Sequence, residues 1–257
     1  MIKTFTLKIY RGVPGNQYWE EFELEFHPNI NVIAGLMEIQ KNPINKQGAK
    51  TTPVAWEQGC LEEVCGSCSM LVNGRPRQSC TALIDAHVKE TGSTTITLAP
   101  FTKFPLIRDL CVDRTRMFEA LKKVKAWIPV DGSWDSGSFG PKISQEVQDA
   151  MYALSTCMTC GCCSEACPQV NDKSPFMGPA AMSQIRMFNS HPVGHLQKSD
   201  RLHAALGEEG IAGCGNAQNC VRVCPKKIPL TESLAIIGRE ASKQAIKDFL
   251  SLPDAGT

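Results

Sequence analysis

The sequence predicts an α+β protein in which a β-rich amino-terminal half precedes an all-helical carboxy-terminal half. Three observations carry this. Near the start of the chain apolar residues alternate with polar ones, the period of a half-buried strand. Beyond Pro105 they recur at helical spacing instead. Thirteen cysteines stand in three ordered groups across both halves.

Taken in order, Phe5, Leu7 and Ile9 alternate with polar residues, as do Phe22, Leu24 and Phe26 with Glu21, Glu23 and Glu25. They predict two strands joined by a turn at Gly12 to Gly15. Asn31 is placed to cap a short helix presenting Val32, Leu36 and Ile39 on one face. A cysteine-bearing loop follows, then Met70 to Val72, an Asn73-Gly74 turn and Gln78 to Ile84. Asn-Gly between two strand-like runs signals a hairpin. The character changes across Pro100 to Pro105, which divides the chain into residues 1–104 and 105–257. Ile107, Leu110, Cys111, Met117, Phe118, Leu121 and Val124 then predict a helix, with no strand after it. Asp131 to Gly140 is Gly/Ser-rich and expected to be a loop. Ser144 is placed to cap a helix carrying Val147, Met151 and Leu154. A last helix is expected from near Thr231, with Leu234, Ile237, Ala241, Ala245 and Phe249 on one face.

Composition excludes several classes. Net charge is +1 over 257 residues, so no strong field points to nucleic acid. No apolar run approaches the ~18 residues that would span a bilayer. Met1 to Tyr10 alternate rather than forming a signal peptide. The chain is therefore expected in a reducing cytoplasm, touching a membrane only through partners. A disulfide framework fits poorly there, because the cysteine count is odd and the chain is not small. Cluster or metal ligation is the better reading.

Cys60, Cys65, Cys68 and Cys80 give C-x4-C-x2-C plus one more cysteine after a gap, the plant-type [2Fe–2S] spacing. Gly66 would let backbone N–H groups approach the cluster sulfurs. The Asn73-Gly74 hairpin returns Cys80 to the same place. A structural zinc site would bring its ligands as two close pairs, and the second pair is missing.

The helical half carries one frame twice. Cys157, Cys160, Cys163 and Cys167 precede Pro168; Cys214, Ala217, Cys220 and Cys224 precede Pro225. In two-cluster ferredoxins the fourth cysteine of such a run serves the other cluster. Crossing the ligands in this way assigns Cys157, Cys160, Cys163 and Cys224 to a [4Fe–4S] cluster. It leaves Cys167, Cys214 and Cys220 for a second cluster, with Ala217 where a fourth thiolate would be. A cube corner that no thiolate holds readily lacks its iron, so [3Fe–4S] is expected, with a raised potential. The alternative of two zinc ribbons would need neither the prolines nor the crossing. Cys111 is expected to be a small buried thiol on a helix and Cys162 a bystander. His27, His87, His191, His195 and His203 are expected in surface or core roles. Arg222, Lys226 and Lys227 form either an interface or a solvated face.

With all three groups in view, the chain resembles the iron–sulfur subunits of succinate dehydrogenases and quinol:fumarate reductases over nearly its whole length. The resemblance implies a β-grasp [2Fe–2S] ferredoxin domain followed by an α-helical ferredoxin domain holding [4Fe–4S] and [3Fe–4S]. It implies an oxidoreductase subunit without catalytic residues of its own, relaying single electrons between the FAD of a flavoprotein subunit and quinone. The quinone would lie near the [3Fe–4S] cluster, in a membrane-anchor cytochrome b subunit often carrying haem b. It also implies a peripheral position on the cytoplasmic face of the cell membrane. The chain lacks G-x-G-x-x-G and Walker motifs, in keeping with a relay that has no substrate pocket. Ubiquinone-linked relatives typically carry tryptophans after the Cys-Pro and a histidine beside the first [3Fe–4S] ligand. Here Gln169, Val170 and Asn171 follow Pro168, and Gly215 follows Cys214. The segments Gln169 to Pro179 and Gly213 to Leu230 look more like the bacterial menaquinone-linked branch. A soluble fumarate reductase not linked to quinone is the competing reading.

Overall fold

Strand β1 (Thr4–Val13) turns Phe5, Leu7 and Ile9 inward, and its partner β2 (Asn16–Glu25) supplies Phe22 directly opposite Leu7. The chain reverses between them where Gly12 sits at φ +114°, and a Cβ there would lie 2.1 Å from the Asn16 carbonyl oxygen. Only glycine fits. Helix α1 (Val32–Lys41) is capped by Asn31, whose Oδ1 accepts from the Ala34 N–H at 2.8 Å. It packs Val32, Ile33, Leu36 and Ile39 against those strands. Strands β3 (Ser69–Val72) and β4 (Arg75–Gln78) form the expected Asn-Gly hairpin, with Asn73 and Gly74 both left-handed. Helix α2 (Ile84–Thr91) and strand β5 (Thr95–Ala99) follow. The sheet order is β2-β1-β5-β3-β4, with β1 parallel to β5 and the other pairs antiparallel. This is a β-grasp sheet around α1.

The structure is a computed structural model describing residues 3–129, 140 and 142–251. Apart from Gly140, the loop expected over 131–140 lies outside the described residues. The chain divides into two compact units. One comprises Met1–Arg114, Met158–Ala166 and Val223–Pro225; the other comprises Thr115–Cys157, Cys167–Arg222 and Lys226–Thr257.

Three expectations are corrected in the first unit. The strand expected over Gln78 to Ile84 ends at Gln78. The helix expected from Ile107 begins only at Thr115, as α3 (Thr115–Lys123). Before it a small hairpin forms from β6 (Leu106–Arg108) and β7 (Cys111–Val112), so Cys111 lies on a strand. The cause is Asp109 at φ 49°. Its buried carboxylate accepts from the Gly12 and Ala55 N–H groups at 2.8 Å each, and its own N–H donates to the Gly12 carbonyl. Those long-range bonds outweigh helical spacing. Asp109 also pairs with Arg11, a fully buried guanidinium that bonds Glu20, Thr51, Thr52 and the Pro53 carbonyl.

In the second unit, Ser144 caps α4 (Gln145–Ser155) through the Val147 N–H, and Leu154 is buried. Past α5 (Cys162–Glu165), which belongs to the first unit, come α6 (Pro179–Ser190), α7 (Lys198–Leu206), the short α8 (Asn219–Val223) and α9 (Leu230–Ser251). Val124, Phe176, Met182, Ile185, Leu202 and Ile237 form its core. Arg201 is wholly buried, donating to the Lys125, Gly194 and Trp127 carbonyls and lying 5.5 Å from the Phe188 ring centre. Helix α9 buries Leu234, Ile237 and Ala241 as expected. Ala245 and Phe249 are instead exposed, Phe249 at 75%. Helices α6 and α7 both pack against α9, and beside Phe249 the tie to α7 is polar, His203 to Asp248 at 2.8 Å. Among the described residues no helix is long and apolar enough to cross a membrane.

Candidate metal centres

The loop between β-elements that carries Cys60, Cys65 and Cys68 is built from unusual backbone. Leu61, Glu63 and Gly66 all take positive φ (61°, 55° and 77°), which turns successive N–H groups the same way and forms an anion-binding nest. The Glu62, Val64 and Cys65 N–H groups point at Cys60 Sγ at 3.3, 3.2 and 3.2 Å. Those of Cys60 and Ser67 point at Cys65 Sγ at 3.3 and 3.5 Å. Hydrogen bonds to sulfur favour the thiolate. Cys65 is held down to about 6, first by the Ser67 side chain and then by the Cys60 and Ser67 N–H groups. Cys68 behaves oppositely: burial pushes it up to about 11, with the Cys80 N–H working against the rise and the Cys80 thiol working with it. The β3–β4 hairpin thus delivers Cys80 beside Cys68 on the buried side, while Cys65 is exposed.

Cys160 and Cys163 are buried in the same unit, which also takes in Cys224; Cys157 falls at the unit boundary and is counted with the second. The [2Fe–2S]-type loop packs directly on this segment. A Cβ on Gly66 would lie 2.7 Å from the Met158 carbonyl oxygen and 2.9 Å from Cys160 Cα. Gly66 is therefore required for close approach as well as for its φ. Glu165 anchors α5, accepting from the Thr102 N–H and hydroxyl and the Lys103 N–H. Cys162 is wholly buried, and its hydrogen bond to Cys160, with burial, pushes its own thiol up. The same bond, more than offsetting burial, holds Cys160 down to about 7, with Arg114's charge contributing.

In the second unit Cys167, Cys214 and Cys220 line one small cavity together with Ala217. Pro168, Phe176 and Leu234 give it apolar walls. Asn216 and Gln218, flanking Ala217, are left-handed (φ 50° and 60°), so this loop also bends tightly. Burial pushes the Cys220 thiol up, and the Cys167 and Cys214 sulfurs push it the same way. No histidine lines the cavity. Arg222 and Lys227 are exposed and Lys226 half-buried. Cys111 is half-buried, its thiol raised to about 11 by burial and then by Glu57 and Asp109.

No disulfide forms among the thirteen cysteines. Among the described residues no three His, Cys, Asp or Glu side chains converge as around a single ion. Thiols on loops and short helices, with N–H groups aimed at the Cys60 and Cys65 sulfurs and an apolar cavity beside Cys220, are a donor set that fits iron–sulfur clusters. Sequence reasoning missed Gln78 and Arg114. Gln78 is fully buried, with Oε1 3.4 Å from Cys68 Sγ and Nε2 bonded to Ser69 Oγ at 2.6 Å. Arg114 grips the Gly66 and Ser67 carbonyls at 2.9 Å each. Neither belongs to a motif, and backbone carbonyls leave no mark in a sequence.

Residues 6–119 match the family model of the 2Fe-2S iron-sulfur cluster binding domain, and residues 153–228 match that of the 4Fe-4S dicluster domain. The chain is 58% identical to the succinate dehydrogenase iron-sulfur subunit of Bacillus subtilis, over 90% of this chain and 89% of that one. It is 27% identical to the fumarate reductase iron-sulfur subunit of Wolinella succinogenes, over 93% and 98%. Its fold superposes on a chain of the Mycobacterium smegmatis Sdh1 complex in the apo form with a TM-score of 0.79, at 24% identity, over 95% and 98%. A plant-type thiol loop on a β-grasp sheet, a doubled cysteine frame on helices and that degree of identity together establish that the chain belongs to the family of succinate dehydrogenase iron–sulfur subunits.

Proposed function

We propose that this chain relays single electrons between the FAD of a flavoprotein subunit and menaquinone in a membrane-anchor cytochrome b, within a succinate:quinone or quinol:fumarate oxidoreductase. The proposed ligands are Cys60, Cys65, Cys68 and Cys80 for [2Fe–2S]. Cys157, Cys160, Cys163 and Cys224 hold [4Fe–4S], and Cys167, Cys214 and Cys220 hold [3Fe–4S]. The domains proposed with them are 1–104 and 105–257. The observation that carries the reading is the packing of one thiol loop on the next, with no room for a Cβ between Gly66 and Cys160. A relay of one-electron centres needs such proximity, and a set of separate structural metal sites does not.

Clusters bound at these thiols supply one-electron chemistry. The chain's residues supply the rest. The N–H groups around Cys60 and Cys65 stabilise negative charge on sulfur. Burial of Cys68, Cys80, Cys160, Cys163 and Cys220 keeps water from the ligands. On this reading the protein sits on the cytoplasmic face of the cell membrane, held there by its anchor.

The test is isolation of the tagged chain from detergent-solubilised membranes. A flavin-bearing subunit and a haem-bearing membrane subunit are expected with it, together with succinate-dependent reduction of a menaquinone analogue. Recovery from the soluble fraction with flavoprotein alone would contradict the quinone link.

A further inference from the structure

Arg114 sits where the two ligand loops of the first unit meet. Its Nη1 and Nη2 donate to the Gly66 and Ser67 carbonyls. Those carbonyls share peptide units with the Ser67 and Cys68 N–H groups, and the Ser67 N–H points at Cys65 Sγ at 3.5 Å. A cation on the carbonyl end of a peptide polarises its N–H end, strengthening donation to sulfur. On the other side, Gly66 rests on Cys160. The side chain is 12% exposed, and Glu57, which it pairs with at 3.5 Å, is 48% exposed. Its Nε–H is buried without an acceptor among the described residues. A buried donor left in that state calls for an acceptor from outside the chain, and a cluster sulfide held by either adjoining loop is one.

We propose that Arg114 is a potential-setting residue shared by the [2Fe–2S] and [4Fe–4S] sites, its single positive charge favouring the reduced form of both. The inference rests on the ligand sets given above. Reduction adds negative charge to a cluster, so a nearby fixed cation raises its potential. A site that served only to brace the loop would need the two hydrogen bonds but not the charge.

The experiment is an EPR-monitored redox titration of the assembled complex carrying Arg114→Gln or Arg114→Lys, with iron content measured alongside. Arg114→Gln is expected to lower both potentials, each by roughly a tenfold change in the reduction equilibrium, about 59 mV for one electron. Arg114→Lys, which keeps the charge and loses the two-pronged grip, is expected to recover most of that shift. Unchanged potentials in Arg114→Gln at full iron content would overturn the inference. So would equal shifts in Gln and Lys, which would mark a bracing role. Absence of the two signals from the unaltered complex would instead sink the ligand sets.

Discussion

Ala217→Cys is expected to erase the EPR signal of the oxidised three-iron cluster and to replace it with a [4Fe–4S] centre of lower potential. Ala217 faces the same cavity as Cys167, Cys214 and Cys220, and it occupies the place that a cysteine fills in the first copy of the frame. Three thiolates leave one corner of a cube without an anionic ligand, and the new thiolate completes it. A fourth thiolate also adds negative charge, so reduction becomes harder, by at least a tenfold change in equilibrium, about 59 mV. Ala217→Ser, nearly the same size but without sulfur, is expected to keep the three-iron signal. Retention of that signal at full intensity in Ala217→Cys would show that residue 217 does not face the vacant corner.

Arg11→Met is expected to cost about 3–5 kcal/mol, the range for removing one partner of a buried ion pair. Arg11 is 1% exposed and lies between Glu20 and Asp109, at 9% and 2%. Burial works against its charge, but Glu20 and Asp109 together more than compensate and raise its pKa. Asp109 would keep the Gly12 and Ala55 N–H donors. Among the described residues Glu20 would keep Asn45 and Thr51, neither of them charged. In a chain of this size each kcal/mol moves Tm by about 2–4 °C, so a fall on the order of 10 °C is expected by calorimetry. The network also ties Thr51, Thr52 and Pro53 to the sheet just ahead of the Cys60 loop. The [2Fe–2S] signal is therefore expected to disappear first on heating. A Tm within a degree of the parent would show the pair to be energetically neutral.

The parts legible in the sequence were those fixed by local chemistry. Alternation marked β1 and β2, Asn31 announced α1 through its cap, and Asn73-Gly74 dictated the hairpin that brings Cys80 back. The cysteine frames were readable because ligand spacing is set by the geometry of a cluster. What stayed hidden depended on distant partners. Residues 107–111 carry helical spacing, yet Asp109 is claimed by Gly12 and Ala55 far back in the chain, and a hairpin results. Helix α2 buries only Ile84, so it leaves almost no apolar stripe to detect. Helix α9 shows the reverse, a stripe that continues to Phe249 past the end of its packing. Arg114 acts on two carbonyls, and Gln78 on a serine and a thiol; no spacing rule anticipates either.

The central claim is that the sulfurs of these cysteines hold three iron–sulfur clusters. Metal and acid-labile sulfide analysis of the anaerobically purified complex, with EPR on the same sample, tests it most directly. About nine irons and about ten sulfides per chain are expected from one [2Fe–2S], one [4Fe–4S] and one [3Fe–4S] cluster, with three distinct signals. Stoichiometric zinc and no labile sulfide would contradict the account.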